Sequence, residues 1–476
     1  MFSRPKLSFE VHIFGRQPAT TVRLKDCASR AHWPSARRQR MYSRLYTYYV
    51  TTLLLLVYVF NQLDRRVFDI VMEPIKHEFS LTDTQLGFLS GPALAVVYSL
   101  LGIPVARWAD RGPRVAIMTT AIVLWSIMAS LTAVVDQFWQ LSLVRVGVGI
   151  GEAGFSAIAI SLIGDYVSDK DRTRALSTFM LAGPLGALIS NLMGGWVNEF
   201  YGWRLVFVVA GLPGILLALL MRGTVQEPPH RLVSRPEDMA RPSLRHVFSA
   251  IWQRDSLRHL LIAQGLANIV PNAMGWLYVF FIRQHDMTTG ELGSWFAVTD
   301  GVGGMAGIWL SGFLVTRFAG NDPRMKARLL TYAGVAVAPL ALFVLWCPYK
   351  HAALLGCILL NISMYFYLAP AAALVQDLAG ANMRATMASV VILFQILAGG
   401  VIGTQLVGVL SDALTPLAGN STVAIRWSMA LVAMVTLWAA LHFWWAGRFI
   451  RKDLAAPPGA ERGLDLIERG DVPLSP

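Results

Sequence analysis

Arg145 and Glu152 stand seven residues apart inside Phe138–Ile163, an apolar run long enough to cross a bilayer, which takes about 20 residues. Charge at that depth costs about 3 kcal/mol or more, so it is rare without a partner or a purpose. On a helix this spacing puts both side chains on one face, roughly 10 Å apart along the axis. Gly147, Gly149, Gly151 and Gly154 would let a neighbouring helix approach closely. Intramembrane carboxyls are common proton carriers, because burial makes the charged form costly, and Glu152 is the leading candidate. Arg145 offers a guanidinium fork that suits an anionic headgroup or carboxylate. It could equally be a charge switch, released when Glu152 takes a proton and recaptured when Glu152 loses it. The plainer alternative is a permanent Arg145–Glu152 pair that packs one helix on another. Asp64 is the second acid, with Arg65 beside it. Arg65 would hold it ionised while desolvation opposes that, and the rival reading puts Asp64 to Asp69 at a solvated helix end. Arg65 is, with Arg145, a candidate for substrate binding or for the charge switch.

Further charge lies between the apolar runs. Asp110, Arg111 and Arg114 cluster after the second run and suggest a conformational latch at helix ends. Asp165 with Arg172, and Asp377 with Arg384, extend it. Asp300, a third of the way into the eighth run, is a possible cavity residue. Tyr365, Phe366, Tyr367 and Phe394 could line an apolar half of that cavity or face lipid.

These residues need a membrane scaffold, and the composition supplies one. Of 476 residues 55% are hydrophobic and 15% charged, against roughly 25% charged in soluble domains. The net charge of +12 does not signal nucleic acid, because the arginines sit in short connections rather than on one basic face. Three cysteines and nine scattered histidines give no ligand spacing, no HExxH and no Cys/His cluster. No phosphate-binding Gly-Lys-Ser/Thr loop occurs. No metal, no cofactor and no enzymatic activity are expected.

Twelve spans are expected, at 45–73, 85–107, 114–134, 138–163, 175–198, 203–222, 257–282, 291–316, 328–347, 351–376, 386–411 and 425–447. Lys and Arg concentrate in the connections after even-numbered spans and in the tails, so both termini should be cytoplasmic. Residues 1–44 read as a basic, disordered cytoplasmic tail, in which Met41 is also a plausible start. A six-span bundle, 45–222, is followed by a Pro- and Arg-rich cytoplasmic loop, 223–256. A second bundle, 257–447, precedes a cytoplasmic tail, 448–476. Ala106–Arg111 after span 2 is echoed by Gly312–Arg317 after span 8. The Asp165/Arg172 pair is echoed by Asp377/Arg384 at nearly the same offset. The fold class is therefore all-α integral membrane, with twelve helices in two pseudo-symmetric six-helix bundles. Such repeats suit a transporter that rocks one half against the other.

Ala106-Arg-Trp-Ala-Asp110-Arg111-Gly-Pro-Arg114 resembles the loop 2–3 signature of the major facilitator superfamily, with Ala106 and Pro113 in place of its usual glycines. In the second copy Thr316 replaces the Asp. Within that superfamily the chain looks like the spinster-like subgroup. Leu63-Asp64-Arg65 carries the likeness, as do Arg145 with Gly149-Ile-Gly151-Glu152-Ala153, Gly202-Trp203-Arg204, Gln376-Asp377-Leu378 and Ser411-Asp412. Ile396-Leu397-Ala398 lacks the Asn expected of that subgroup. The resemblance implies a monomeric, proton-coupled transporter of lipid-like or other amphipathic, anionic organic solutes, set in a bacterial inner membrane among membrane lipids. It assigns proton coupling to Asp64 alongside Glu152. The alternatives are a non-transporting membrane substrate sensor, which would need a signalling domain, and a transporter of a small hydrophilic organic acid or drug-like compound.

Overall fold

The computed structural model describes residues 42–168, 170–228, 244–320, 322–379 and 383–455. By its contacts the chain divides into a short unit, Met1–Thr47, and one large unit, Tyr48–Pro476. Among the described residues there is no strand. Backbone groups in hydrocarbon must be satisfied within the protein, and a helix does this inside one segment.

The first long helix, α1, runs Arg44–Phe79 without a break. Eleven more are long and apolar enough to cross a membrane, each taken through its short interior breaks. They are α2 (Asp83–Ala109), α3 (Arg114–Val134), α4 (Phe138–Tyr166), α5 (Arg172–Tyr201), α6 (Trp203–Thr224) and α7 (Asp255–His285). The rest are α8 (Thr289–Ala319), α9 (Pro323–Trp346), α10 (Lys350–Leu378), α11 (Thr386–Ala418) and α12 (Ser421–Ala455). Asp64, Arg65, Arg66 and Asp69 dilute the apolar character of α1, yet they lie mid-helix and not at a solvated end. The sequence places the end of this span at residue 73. The helix continues because Glu73, Lys76 and Glu78 pair with Arg283, Asp83 and Arg204.

Sequence signals set the ends. Thr82 and Gln85 form a reciprocal capping box that starts α2. Thr288 caps α8 by accepting from the Glu291 amide, and Asn420 caps α12 through the Thr422 amide. The segment 223–256, expected as a loop, contains a short helix, Leu244–Gln253. Val247 and Ile251, one turn apart, bury one face of it, while Phe248 and Trp252 stay exposed. The basic N-terminal segment up to residue 41, the Pro- and Arg-rich stretch 229–243 and the tail beyond Ala455 lie outside the described residues.

In α1–α6, α3 packs on α4 and α6, and α2 on α4. In α7–α12, α12 packs on α7 and α9, α8 on α10, and α11 on α12. The halves meet chiefly where α5 crosses α8 and α2 crosses α11. Both crossings need bare backbone. A Cβ on Gly91 would lie 1.9 Å from Thr404 Oγ1, and one on Gly293 2.2 Å from the Asn191 carbonyl oxygen. Successive spans alternate in direction, so the connections after odd-numbered helices share one end and those after even-numbered helices the other. These are the odd-loop end and the even-loop end.

Candidate functional site

Residues 64–69, less than two turns of α1, carry the charges around which the site is built. On one side α1 meets α4. Glu152 is fully buried, and its Oε2 accepts from Arg65 Nε at 2.6 Å. The Arg65 guanidinium lies 4.4 Å over the ring of Tyr98 on α2. Arg145, also buried, does not take Glu152. It donates Nε to the Leu89 carbonyl oxygen at 3.3 Å and covers the Phe68 ring at 4.6 Å. The sequence pattern rightly places Arg145 and Glu152 on one face of α4, since both point at α1. The arginine at the level of Glu152 comes from α1 instead, so the expected Arg145–Glu152 pair is an Arg65–Glu152 pair.

Asp64 is 1% exposed, and neither of its carboxylate oxygens has a hydrogen-bond partner. Its charged neighbours are Arg145 and Arg65. Glu152 Oε1 is likewise without a partner. Two buried acids thus lie among two arginines with carboxylate oxygens left open. The backbone opens at the same level. The first segment of α4 ends at Glu152, Gly154 turns left-handed at φ 79°, and helix resumes at Phe155. Interrupted helices are where membrane transporters build their sites.

The next residues of α1 face the second half. Arg66 is exposed although it lies between buried turns of α1, so it lines an opening. Its Nη2 donates to the Tyr365 hydroxyl at 3.4 Å. Asp69 accepts from Ser90 Oγ at 2.8 Å. Asp300 of α8 accepts from Asn361 Nδ2 at 3.1 Å, Tyr278 Oη at 3.3 Å and Asn191 Nδ2 at 3.4 Å. The Tyr278 hydroxyl also reaches Asn191 Oδ1 at 2.6 Å. Asp300 therefore lies inside a polar hub joining α5, α7, α8 and α10. Tyr365 reaches this region. Phe366 and Tyr367 do not: both are buried in an apolar cluster with Ala371 and Leu374. Phe394 is 43% exposed on α11, where a Cβ on Gly265 of α7 would meet its ring at 3.2 Å.

At the odd-loop end a buried ionic network spans the halves. Arg283 of α7 makes two-toothed contacts with Glu73 of α1 (2.8 and 2.7 Å) and Asp83 of α2 (3.1 and 2.9 Å). Lys76 pairs with Asp83, and Ser411 Oγ of α11 donates to the same carboxylate at 2.6 Å. Asp412 accepts from the Asp83 and Thr84 amides at 3.1 and 2.7 Å, capping α2 from the other half. The charge pattern between spans does not single out this network. The available signal was four ionisable residues, Glu73, Lys76, Asp83 and Arg283, at the rims of spans and not in loop centres.

The even-loop residues read as a latch pair differently. Arg114 is buried and binds Asp165 at 2.6 Å and Ser161 Oγ at 2.8 Å, while Glu227 caps its amide and that of Val115. Arg172 donates to the Gly164 carbonyl oxygen at 3.1 Å. Asp377 takes Lys326 at 3.4 Å and not Arg384, which is exposed, as is Arg111. The side chain of Asp110 lies outside the described residues. Among the described residues every ion pair at this end stays within one half. No group of three or more His, Cys, Asp or Glu among them is placed to hold a metal.

Residues 54–404 match the Major Facilitator Superfamily. An MFS-type efflux pump of Mycolicibacterium smegmatis is 32% identical over 412 residues, covering 84% of this chain and 92% of that protein. Protein spinster homolog 1 of Xenopus tropicalis is 31% identical over 204 residues, 40% of this chain and 38% of that one. The crystal structure of a bacterial homolog of the human lysosomal transporter Spinster, inward-facing and unoccupied, superposes with a TM-score of 0.81 at 27% identity. It covers 88% of this chain and 100% of that one. The chain is thus a transporter of the Major Facilitator Superfamily.

Proposed function

We propose that the protein is a proton-coupled secondary transporter that moves an amphipathic, lipid-like organic anion by alternating access. The observation that carries this reading is the buried set on α1 and α4: Glu152 on Arg65, and Asp64 without a hydrogen bond beside Arg145. With both acids ionised the two arginines are compensated. A proton on Glu152 leaves the Arg65 guanidinium free to take the anionic group of a substrate. Loss of the proton recaptures Arg65 and expels that group. The switch is the one the sequence suggests, with Arg65 in the place of Arg145. Arg66, exposed one residue further on, extends the positive lining toward the Asp300 hub, which offers hydrogen bonds to a polar headgroup.

Arginine-rich even-numbered connections support an even-loop end facing the cytoplasm, with both termini there. In that orientation the halves are tied on the outer side, in keeping with likeness to an inward-facing structure. The clusters around Arg114 and Asp377 would then latch the inner side after the halves rock over.

The test is flux into proteoliposomes under an imposed pH gradient, wild type against Glu152→Gln, over lysolipids, sphingoid lipids and small organic anions. Gradient-driven flux should vanish in the variant while substrate exchange persists. Unchanged gradient-driven flux would sink the role of Glu152 and move coupling to Asp64. Flux confined to small hydrophilic acids would replace the lipid-like substrate with that class.

A further inference from the structure

The even-loop ends of α9 and α12 form a second charged feature, remote from the substrate region. Arg324 and Arg328 of α9 and Arg448 of α12 line an open cavity of about 340 Å³ with Trp444 and Gly447. Among the described residues none of the three arginines has an ion-pair partner, whereas their neighbours do. Lys326 holds Asp377 at 3.4 Å. Arg451 holds Asp322 at 3.1 Å, and Asp322 is further engaged by the Arg324 amide. The nearby acids are thus already used. Arg324 Nε is buried with no hydrogen-bond partner. Arg448 is fixed in place, its guanidinium 3.9 Å over the Trp444 ring.

The cavity continues into apolar surface. Along α12, Leu437, Leu441 and Trp444 recur at helical spacing and are each about 40% exposed, and Arg448 follows on the same face. Along α9, exposed Tyr332 and Val335 follow Arg328 in the same manner. Small residues bring the helices together: a Cβ on Gly447 would lie 3.0 Å from that of Ala327, and one on Gly334 3.2 Å from that of Ala440. Close contact along this seam leaves the larger side chains standing on either side of it.

The geometry points to a binding site for an anionic phospholipid, its phosphodiester held by Arg324, Arg328 and Arg448 and its acyl chains along the apolar faces of α9 and α12. Guanidinium forks match phosphate oxygens two at a time, and basic pockets between membrane helices suit anionic headgroups. The apolar faces below the arginines favour a lipid over a soluble phosphate. The site is independent of the transported solute.

The experiment is native mass spectrometry of the detergent-purified full chain, titrated separately with phosphatidylglycerol, phosphatidylcholine and inorganic phosphate. Each arginine near a membrane surface contributes an affinity of about fivefold. Phosphatidylglycerol retention should therefore fall on the order of a hundredfold in the Arg324→Gln/Arg328→Gln/Arg448→Gln triple variant. It should be unchanged in an Arg107→Gln/Arg174→Gln/Arg222→Gln control, whose arginines are exposed at the same end. Equal retention by the first triple and wild type overturns the site. So does equal loss in the control, or phosphatidylcholine binding as well as phosphatidylglycerol. Displacement of the lipid by inorganic phosphate at equal concentration assigns the pocket to a soluble anion and overturns the lipid. If the triple variant does not fold, Arg448→Gln alone, on an exposed residue, should lower retention about fivefold, and no change there overturns the site equally.

Discussion

At the odd-loop end Arg283 reaches from α7 to two carboxylates of the opposite half, Glu73 and Asp83, and Asp412 caps α2 from α11. At the even-loop end Arg114 holds Asp165 and Lys326 holds Asp377, each pair inside its own half. Both ends are rich in charge, yet only one uses it to join the halves. What differs is address: Arg114 and Asp165 are also withdrawn from solvent, but both belong to one half. The odd-loop charges are withdrawn from solvent and grip across the interface, so breaking them strands ions. The even-loop pairs stiffen each half and leave the halves free to separate there. A rocking transporter needs this asymmetry, because one end must hold while the other opens.

The largest effect should follow Arg283→Met. It leaves Glu73 a buried anion without its arginine and Asp83 with Lys76 alone as a cation, and breaking a buried pair from one side costs about 3–5 kcal/mol. In a background without native cysteines, a cysteine at Thr84 reports access to this end. The variant should lower the thermal midpoint in detergent and speed alkylation at position 84 by about tenfold or more, since each 1.4 kcal/mol off the closed state is about a factor of ten in the populations. Unchanged labelling would mean that packing, not charge, closes the odd-loop end.

Gly293→Ala separates those two causes. Its new Cβ would stand 2.2 Å from the Asn191 carbonyl oxygen, a backbone atom that cannot swing aside. Overpacking of this kind costs about 1–3 kcal/mol. Because α5 crosses α8 here and not at the ionic network, alkylation at Thr84→Cys should rise less than in Arg283→Met, and the two substitutions combined should exceed either. If Gly293→Ala labels at the wild-type rate, the crossing does not bear on closure and the ionic network alone holds this end.

Much of this was legible in the sequence. Twelve long helices, the charge interruption in α1, and the shared face of Arg145 and Glu152 all follow from apolar run length and helical spacing. Three features were not. Arg65 takes Glu152 in place of Arg145, because pairing depends on which helix supplies an arginine at the right height, and spacing within one helix is silent on that. The polar hub at Asp300 recruits Asn191, Tyr278 and Asn361 from three other helices, and neutral side chains carry no charge signal to mark them. Phe366 and Tyr367 belong to the core, since an aromatic in a membrane helix faces core, cavity or lipid with no difference in residue type.

The smallest effect sharpens the contrast from the other end. Lys326→Ala removes an ion pair in which Asp377 is half exposed and the separation is 3.4 Å. Pairs of this kind are worth about 0–1 kcal/mol, so the thermal midpoint should scarcely move. Labelling at Thr84→Cys should match wild type, because the pair lies within the second half and has no part in joining the two. A rise in labelling would show that α9 and α10 transmit their local stiffness across the molecule, and the two ends would then have to be treated as one coupled device. Equal labelling, beside the large response to Arg283→Met, would confine closure to the residues that bridge the halves.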